Sequence, residues 1–170
     1  MLRKVKTVKI RANGWRFAIV ASRYNARYVD GMLQAAKKEL KRAGAKHIEV
    51  VRVPGAYEIP VVAAQLARRN LGQASLTKRS KQIHAIICLG VILRGETVHA
   101  AHIGEAVSHA LMQIQLETGV PVVHEVLLLE NAHQAEVRCL GRKHNRGTEA
   151  AQTALSMAGV MAKVRSICSQ

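Results

Sequence analysis

The run AIICLGVIL, Ala85–Leu93, is nine residues long and carries no charge. A run that short, apolar and rich in β-branched residues reads as a strand buried on both faces, as in the middle of a parallel sheet. Parallel neighbours need crossover connections of a dozen or more residues, so helices must alternate with strands elsewhere in the chain. They do. Residues 17–22, FAIVAS, make a second strand that ends at the turn-like triplet Arg23-Tyr24-Asn25. Val29, Met32, Leu33, Ala36 and Leu40 then recur at helical spacing, with Lys37, Lys38, Lys41 and Arg42 mostly off that face, and Gly44 stops the helix. Residues 48–53 form a strand ended by Pro54-Gly55, and Ile59, Val62, Ala63, Leu66 and Ala67 mark the next helix.

Beyond the central run, Ile103, Val107, Ala110, Leu111 and Ile114 predict a helix closed near Gly119. Residues 121–129 predict a fourth strand. Asn131 is placed to cap a short helix reaching Cys139, residues 141–146 form a basic loop, and Ala151, Ala154, Leu155, Ala158 and Ala162 mark a final helix. Residues 70–82 are polar and basic without an apolar period, which makes them a surface loop. The alternation implies βαβ units and an α/β sandwich. Ligands of such sheets bind beyond the carboxyl ends of the strands. The places to look are therefore Arg23-Tyr24-Asn25, residues 54–58, residues 94–102 and the segment after Leu129.

Composition narrows the classes. A chain of 170 residues, 49% of them hydrophobic, is long enough for one domain with a full core and is not a disordered chain. One Trp, three Tyr and one Phe are all its aromatics, so the core has to be aliphatic. The three cysteines, Cys88, Cys139 and Cys168, form no CxxC pair, which fits a reducing compartment. No apolar run approaches the ~20 residues of a membrane span, and residues 17–21 are too short for the h-region of a secretion signal, about 7–15 residues. A soluble cytoplasmic protein is expected. The net charge of +15 fits phosphorylated small molecules, nucleic acid or an acidic partner, or else a generally basic surface. Its dense runs, residues 2–16 and 78–81, carry no interleaved aromatics for stacking on bases, which argues against nucleic acid.

Several constellations bear chemistry. There is no GxGxxG, and the spacing Gly90-x4-Gly95 is followed by Glu96 where a P-loop needs lysine. Glu96 and Thr97 stand instead at the start of a helix, where free backbone N–H groups and the helix dipole suit a phosphate; Thr97 is also placed to cap that helix. His99, His102 and Glu105 fall nearly on one helical face, but nothing resembles HExxH, and a general acid or base suits His99 better than a metal. Tyr24 and Tyr57 each follow a strand, where a flat ring can stack on a heterocycle or simply cover the sheet edge. Glu58 can bind hydroxyls or cap its helix. Arg138, Arg142, Lys143 and Arg146 surround one loop, with Glu149 beside them as a partner, and arginine grips phosphate in a bidentate way.

The blocks FAIVASRYN, VRVPGAYEIPVVA, HAIICLGVILRGETVH, QLETGVPV and KHNRGTEAAQTAL, from about Phe17 to Met161, resemble the 6,7-dimethyl-8-ribityllumazine synthase family of riboflavin biosynthesis. The resemblance implies one domain over residues 1–170, with a basic extension at 1–16 and an inserted surface loop at 70–82. It implies a flavodoxin-like three-layer α/β/α sandwich with a four-stranded parallel sheet, built into homopentamers that in some members close into icosahedral cages, with sites between subunits. The implied reaction condenses 5-amino-6-(D-ribitylamino)uracil with 3,4-dihydroxy-2-butanone 4-phosphate, releasing phosphate and water, without metal or redox cofactor. Riboflavin synthase is the candidate protein partner.

By the same resemblance, His99 is the proton-transferring histidine and Arg138 the arginine that grips phosphate from the adjacent subunit. Tyr24 takes the place of a stacking ring. Ala56, Tyr57 and Glu58 hold the ribityl chain and uracil, and Val91, Ile92 and Leu93 offer backbone groups to the pyrimidine. Glu96 and Thr97 bind phosphate through their turn, His124 walls the pyrimidine, and Arg146 and Glu149 align with a lysine and an acidic residue near the same site. The chain departs from the family pattern at Ala100, Ala101 and His102, at His124 and Glu125, and at Leu128 and Leu129. Two other readings are a divergent paralogue that binds lumazine or flavin without making it, and a basic cage that holds anionic cargo.

Overall fold

The computed structural model describes residues 10–71, 82–141 and 144–168. Most of the expected basic extension and inserted loop, the basic run at 78–81, and Arg142 and Lys143 lie outside them. Four strands, β1 (Arg16–Ser22), β2 (His47–Val53), β3 (Ala85–Leu93) and β4 (Val122–Leu129), run parallel in the order β2-β1-β3-β4. Between and after them come α1 (Ala26–Arg42), α2 (Ile59–Arg68), α3 (His99–Thr118), α4 (Ala132–Ala135) and α5 (Arg146–Ile167). A π-helical turn, Glu136–Leu140, continues α4.

The two central strands are apolar on both faces, and that divides the core in two. Phe17, Ile19 and Ala21 of β1 and Ile87 and Leu89 of β3 pack with α1 and α5. Ala18 and Val20 of β1 and Ile86 and Cys88 of β3 point the other way, onto α2 and α3. The result is a three-layer α/β/α sandwich with the flavodoxin-like order of a doubly wound sheet. Phe17 is the one aromatic among the largest fully buried side chains; the rest of that core is Ile, Leu, Val and Met, each contributing about 1.5–3 kcal/mol on burial.

Small residues bring α5 close to α1. Ala150, Ala151, Ala154 and Ala158 are buried along one face of α5. At its start, Gly147 lies against the backbone of Met32, where an added Cβ would stand 2.0 Å from the carbonyl oxygen. That contact fixes where α5 begins, and with it the position of Arg146 and Glu149.

Some boundaries differ from the sequence expectation. α3 starts at His99, because its first turn is largely exposed and shows no apolar period. Thr97 therefore does not cap it: the cap position is Val98, with no side-chain bond. α5 starts at Arg146, so that residue belongs to a helix and not to the basic loop. Asn145 caps it, its side chain accepting a bond from the Gly147 N–H at 2.9 Å. Asn131 caps α4 as expected, accepting from the Gln134 N–H at 3.0 Å.

Candidate active site

All four strands end at one edge of the sheet, and the loops that follow them meet there. The β1–α1 turn is tied to the end of β2: the N–H groups of Arg23 and Tyr24 both donate to the Pro54 carbonyl, at 3.1 and 3.0 Å. Arg52 reaches across from β2 to the Ser22 carbonyl at 2.8 Å and pairs with Asp30 of α1. Asn25 closes the turn in the left-handed region, φ 56°, which a short polar side chain tolerates. Its amide donates to the Val91 carbonyl at 2.8 Å, linking the turn to β3.

This bracing presents Tyr24 outward, 71% exposed. The ring has Gly55 beneath it: a Cβ on Gly55 would lie 3.0 and 3.2 Å from ring carbons and 2.9 Å from the Glu58 carboxylate. Glu58 does not cap α2 with its side chain. It folds back to accept the Gly55 N–H at 2.8 Å. Tyr57, between them, is also exposed, and Ala56 is buried beneath.

β3 runs past its neighbour. Its last residue paired with β1 is Leu89, opposite Ala21, while β4 follows it to Leu93. Val91 and Leu93 thus turn backbone groups toward the space above β1, the Val91 carbonyl meeting Asn25, while Ile92 between them turns to β4. Arg94 is taken by Glu130 at 2.9 Å, joining the ends of β3 and β4. Glu96, Thr97, Val98 and His99 are exposed. Because no side chain caps α3, its first turn leaves backbone N–H groups facing this edge, the environment that favours an anion.

β4 carries two polar residues on opposite faces. His124 points toward α3, with Nε2 3.0 Å from the Ser108 hydroxyl. The Ser108 hydroxyl also donates to the Gly104 carbonyl, at 2.7 Å. Partial burial pushes the pKa of His124 below its ordinary value. Glu125 points toward α5 and is 5% exposed. It accepts from Arg146 Nε at 2.9 Å, and Arg146 Nη1 binds Glu149 at 2.7 Å. Burial pushes the Glu125 carboxyl up to about 7, against the pull of Arg146. Arg138, on the π turn, is exposed and forms no hydrogen bond or ion pair among the described residues.

The sequence-predicted residues therefore fall into two groups. Tyr24, Ala56, Tyr57, Glu58, Val91, Ile92, Leu93, Glu96, Thr97 and His99 gather at the carboxyl edge. Arg138, Arg146 and Glu149 lie in the α1/α5 layer, with His124 on the opposite face of edge strand β4. Sequence reasoning singled out the places of three further contributors but missed their roles: Asn25 as a tie to β3, Gly55 as the floor under Tyr24, and Glu125 as the partner of Arg146. The first left a trace, an asparagine at the end of a strand; the others depend on distant packing. A hollow of about 540 Å³ lies at the other end of the sheet, between residues such as Arg16, His47 and Arg69, and holds none of the predicted site.

Comparison with known proteins supplies the family. The family model described as 6,7-dimethyl-8-ribityllumazine synthase matches residues 14–162. The chain belongs to that family. A 6,7-dimethyl-8-ribityllumazine synthase of Xanthomonas oryzae pv. oryzae (strain PXO99A) is 42% identical over 148 residues, 86% of this chain and 89% of the relative. Those of Stenotrophomonas maltophilia (strain R551-3) and Xylella fastidiosa (strain 9a5c) are each 40% identical, the latter over 157 residues, 91% of this chain and 95% of the relative.

Within the lumazine synthase family the two β4 departures differ in kind. His124 changes what the α3 side of the edge strand presents, an imidazole in contact with Ser108. Glu125 puts a buried carboxylate into a layer where its only hydrogen-bonded cation among the described residues is Arg146.

Proposed function

We propose that the chain condenses 5-amino-6-(D-ribitylamino)uracil with 3,4-dihydroxy-2-butanone 4-phosphate to 6,7-dimethyl-8-ribityllumazine, releasing phosphate and water. The observation that carries this reading is one sheet edge holding an exposed ring, open strand backbone and an uncapped helix start with a histidine, in a chain of this family. In this reading Tyr24 stacks on the pyrimidine. Ala56, Tyr57 and Glu58 hold the ribityl chain and uracil, and the backbone of Val91 and Leu93, on either side of Ile92, reads the ring edge. Glu96 and Thr97 receive the phosphate at the start of α3, where the free N–H groups point. His124 stands beside the pyrimidine.

The chemistry follows from those positions. The amine attacks the ketone, a Schiff base forms with loss of water, phosphate leaves and the ring closes. Each step moves a proton near neutral pH, which suits His99. The reaction has no net electron transfer and calls on no redox cofactor. Stacking one substrate beside an anchored phosphate supplies proximity, a large part of what a two-substrate condensation needs.

The same reading makes the protein a homopentamer, or a multiple of one, with sites between subunits. Arg138 sits in a different layer of the protomer from His99, so a neighbour's Arg138 completes each site together with Arg146 and Glu149. Apolar side chains left exposed on one protomer, among them Val98, Leu116, Val137 and Ile167, give such an assembly surface to bury. Riboflavin synthase, the consumer of the product, is the partner in this reading, and the cytoplasm the compartment. No described helix is long and apolar enough to cross a membrane.

Steady-state kinetics followed by lumazine fluorescence test the roles. His99→Ala is expected to lower kcat about 10²–10³-fold with the fold intact, because the side chain is exposed and acts on protons. Arg138→Ala is expected to raise KM for the phosphate substrate about tenfold or more by removing a charge-assisted contact. The reverse pattern overturns the assignment.

A further inference from the structure

Glu125 has no evident structural need for its charge. It sits on the inner face of β4, 5% exposed, among Val123, Leu127 and Leu129, which point into the same apolar layer. Its hydrogen-bonded partner is Arg146, which it shares with Glu149, at 2.9 and 2.7 Å. Arg146 Nη2 takes no part in either bond. The other charged or titratable groups acting on Glu125 are Arg138 and Cys139 of the π turn. We propose that Glu125 is a positioning residue that competes with an anionic ligand for Arg146, so that binding of a phosphate-like dianion is coupled to uptake of a proton by Glu125.

The charge balance carries the argument. With Glu125 ionised, two carboxylates, Glu125 and Glu149, offset two guanidiniums, Arg138 and Arg146. With Glu125 protonated, the cluster carries one positive charge. A buried carboxylate is costly to keep ionised, and here burial outweighs the pull of Arg146, pushing the carboxyl up to about 7. A dianion brought to Arg138 adds negative charge nearby and draws the proton on. The sign follows. Below about 7 Glu125 is mostly neutral, Arg146 is released toward the ligand, and binding is tight. Above it the ionised carboxylate reclaims Arg146 and binding weakens. One unit charge acting over about 10 Å through an effective dielectric of about 20 is worth about tenfold or more in affinity, and more at closer range.

This inference rests on the reading of Arg138 as the phosphate grip with Arg146 near the same site, so its test avoids turnover. Sulfate is the probe, because it remains a dianion throughout the range, whereas a phosphate ester gains charge near pH 6 and would confuse the result. Calorimetric titration of the assembled protein with sulfate, at about pH 6 and about pH 8.5 on either side of the carboxyl, is compared for wild type and Glu125→Gln. Contributions common to both proteins cancel, so the difference between the two pH steps isolates Glu125. The expected result is a weakening with pH about tenfold larger in wild type than in the variant. Glu125→Gly serves if the buried amide prevents folding, since it leaves Arg146 with Glu149 alone. Equal pH steps in wild type and variant overturn the proposal. Loss of sulfate binding in Arg138→Ala supports the shared grip. Absence of lumazine formation by wild type, with the pH coupling intact, would instead remove the proposed reaction and leave the coupling standing.

Discussion

Gly55 has no side chain, yet it sets where the most outward ring of the site lies. The Tyr24 ring and the Glu58 carboxylate both come within about 3 Å of the position its Cβ would occupy. Gly55→Ala is therefore expected to lift Tyr24 off its floor and break the bond from the Gly55 N–H to Glu58. KM for the pyrimidine substrate should rise several-fold, because a stacked ring contributes on the order of 1 kcal/mol only while it is held in place. Gly55 itself is buried, but the ring that must give way is exposed, so the loss of stability should be modest. An unchanged KM with the variant folded contradicts this account of the floor. At this scale the sequence was informative where a residue type is scarce. Tyr24 and Tyr57 stood out because aromatics are rare, and both rings are exposed just past strand ends. It was silent where a role comes from a distant partner. Glu125 and Arg146 are far apart in sequence and meet only because β4 and α5 pack together. Thr97 misled, because a threonine ahead of a helix reads as a cap while the helix here begins after Val98.

The elements were easier to read than their ends. The strand Ala85–Leu93 was legible residue for residue, since an uninterrupted apolar run with polar residues on both sides has sharp edges. α5 was located by its alanines but extends further in both directions, because its first turn, Arg146 to Glu149, is polar and its last residues are exposed. The signal for its start was Asn145, a capping residue hidden among the positive charges of the loop. Gly147 is the element's other fixed point. Any side chain there runs into the Met32 backbone, which cannot move without shifting α1. Gly147→Ala should cost about 3 kcal/mol or more despite alanine's better helix propensity, as overpacking against backbone does. Urea unfolding measures it; a midpoint equal to wild type would mean the two helices have slack that this packing does not show.

Across the whole molecule, the topology divides the chemistry. A parallel sheet delivers its loops to one edge, which brings together the β1, β2 and β3 residues of the site. The arginines follow β4 and lie in one helical layer, so a single protomer does not bring the two groups face to face. That division was out of reach of periodicity, which finds elements without saying how faces of different copies meet. The +15 charge belongs to this scale as well: spread along the chain, it draws anionic substrates toward the surface without marking a site. The central claim is the condensation itself. The measurement that tests it most directly is the absorbance and fluorescence of 6,7-dimethyl-8-ribityllumazine, with released phosphate followed in parallel, after wild-type protein is mixed with both substrates. The account predicts enzyme-dependent lumazine with one phosphate released per product. Folded, assembled protein that binds lumazine but forms none above the uncatalysed rate would contradict it and leave a binding protein in its place.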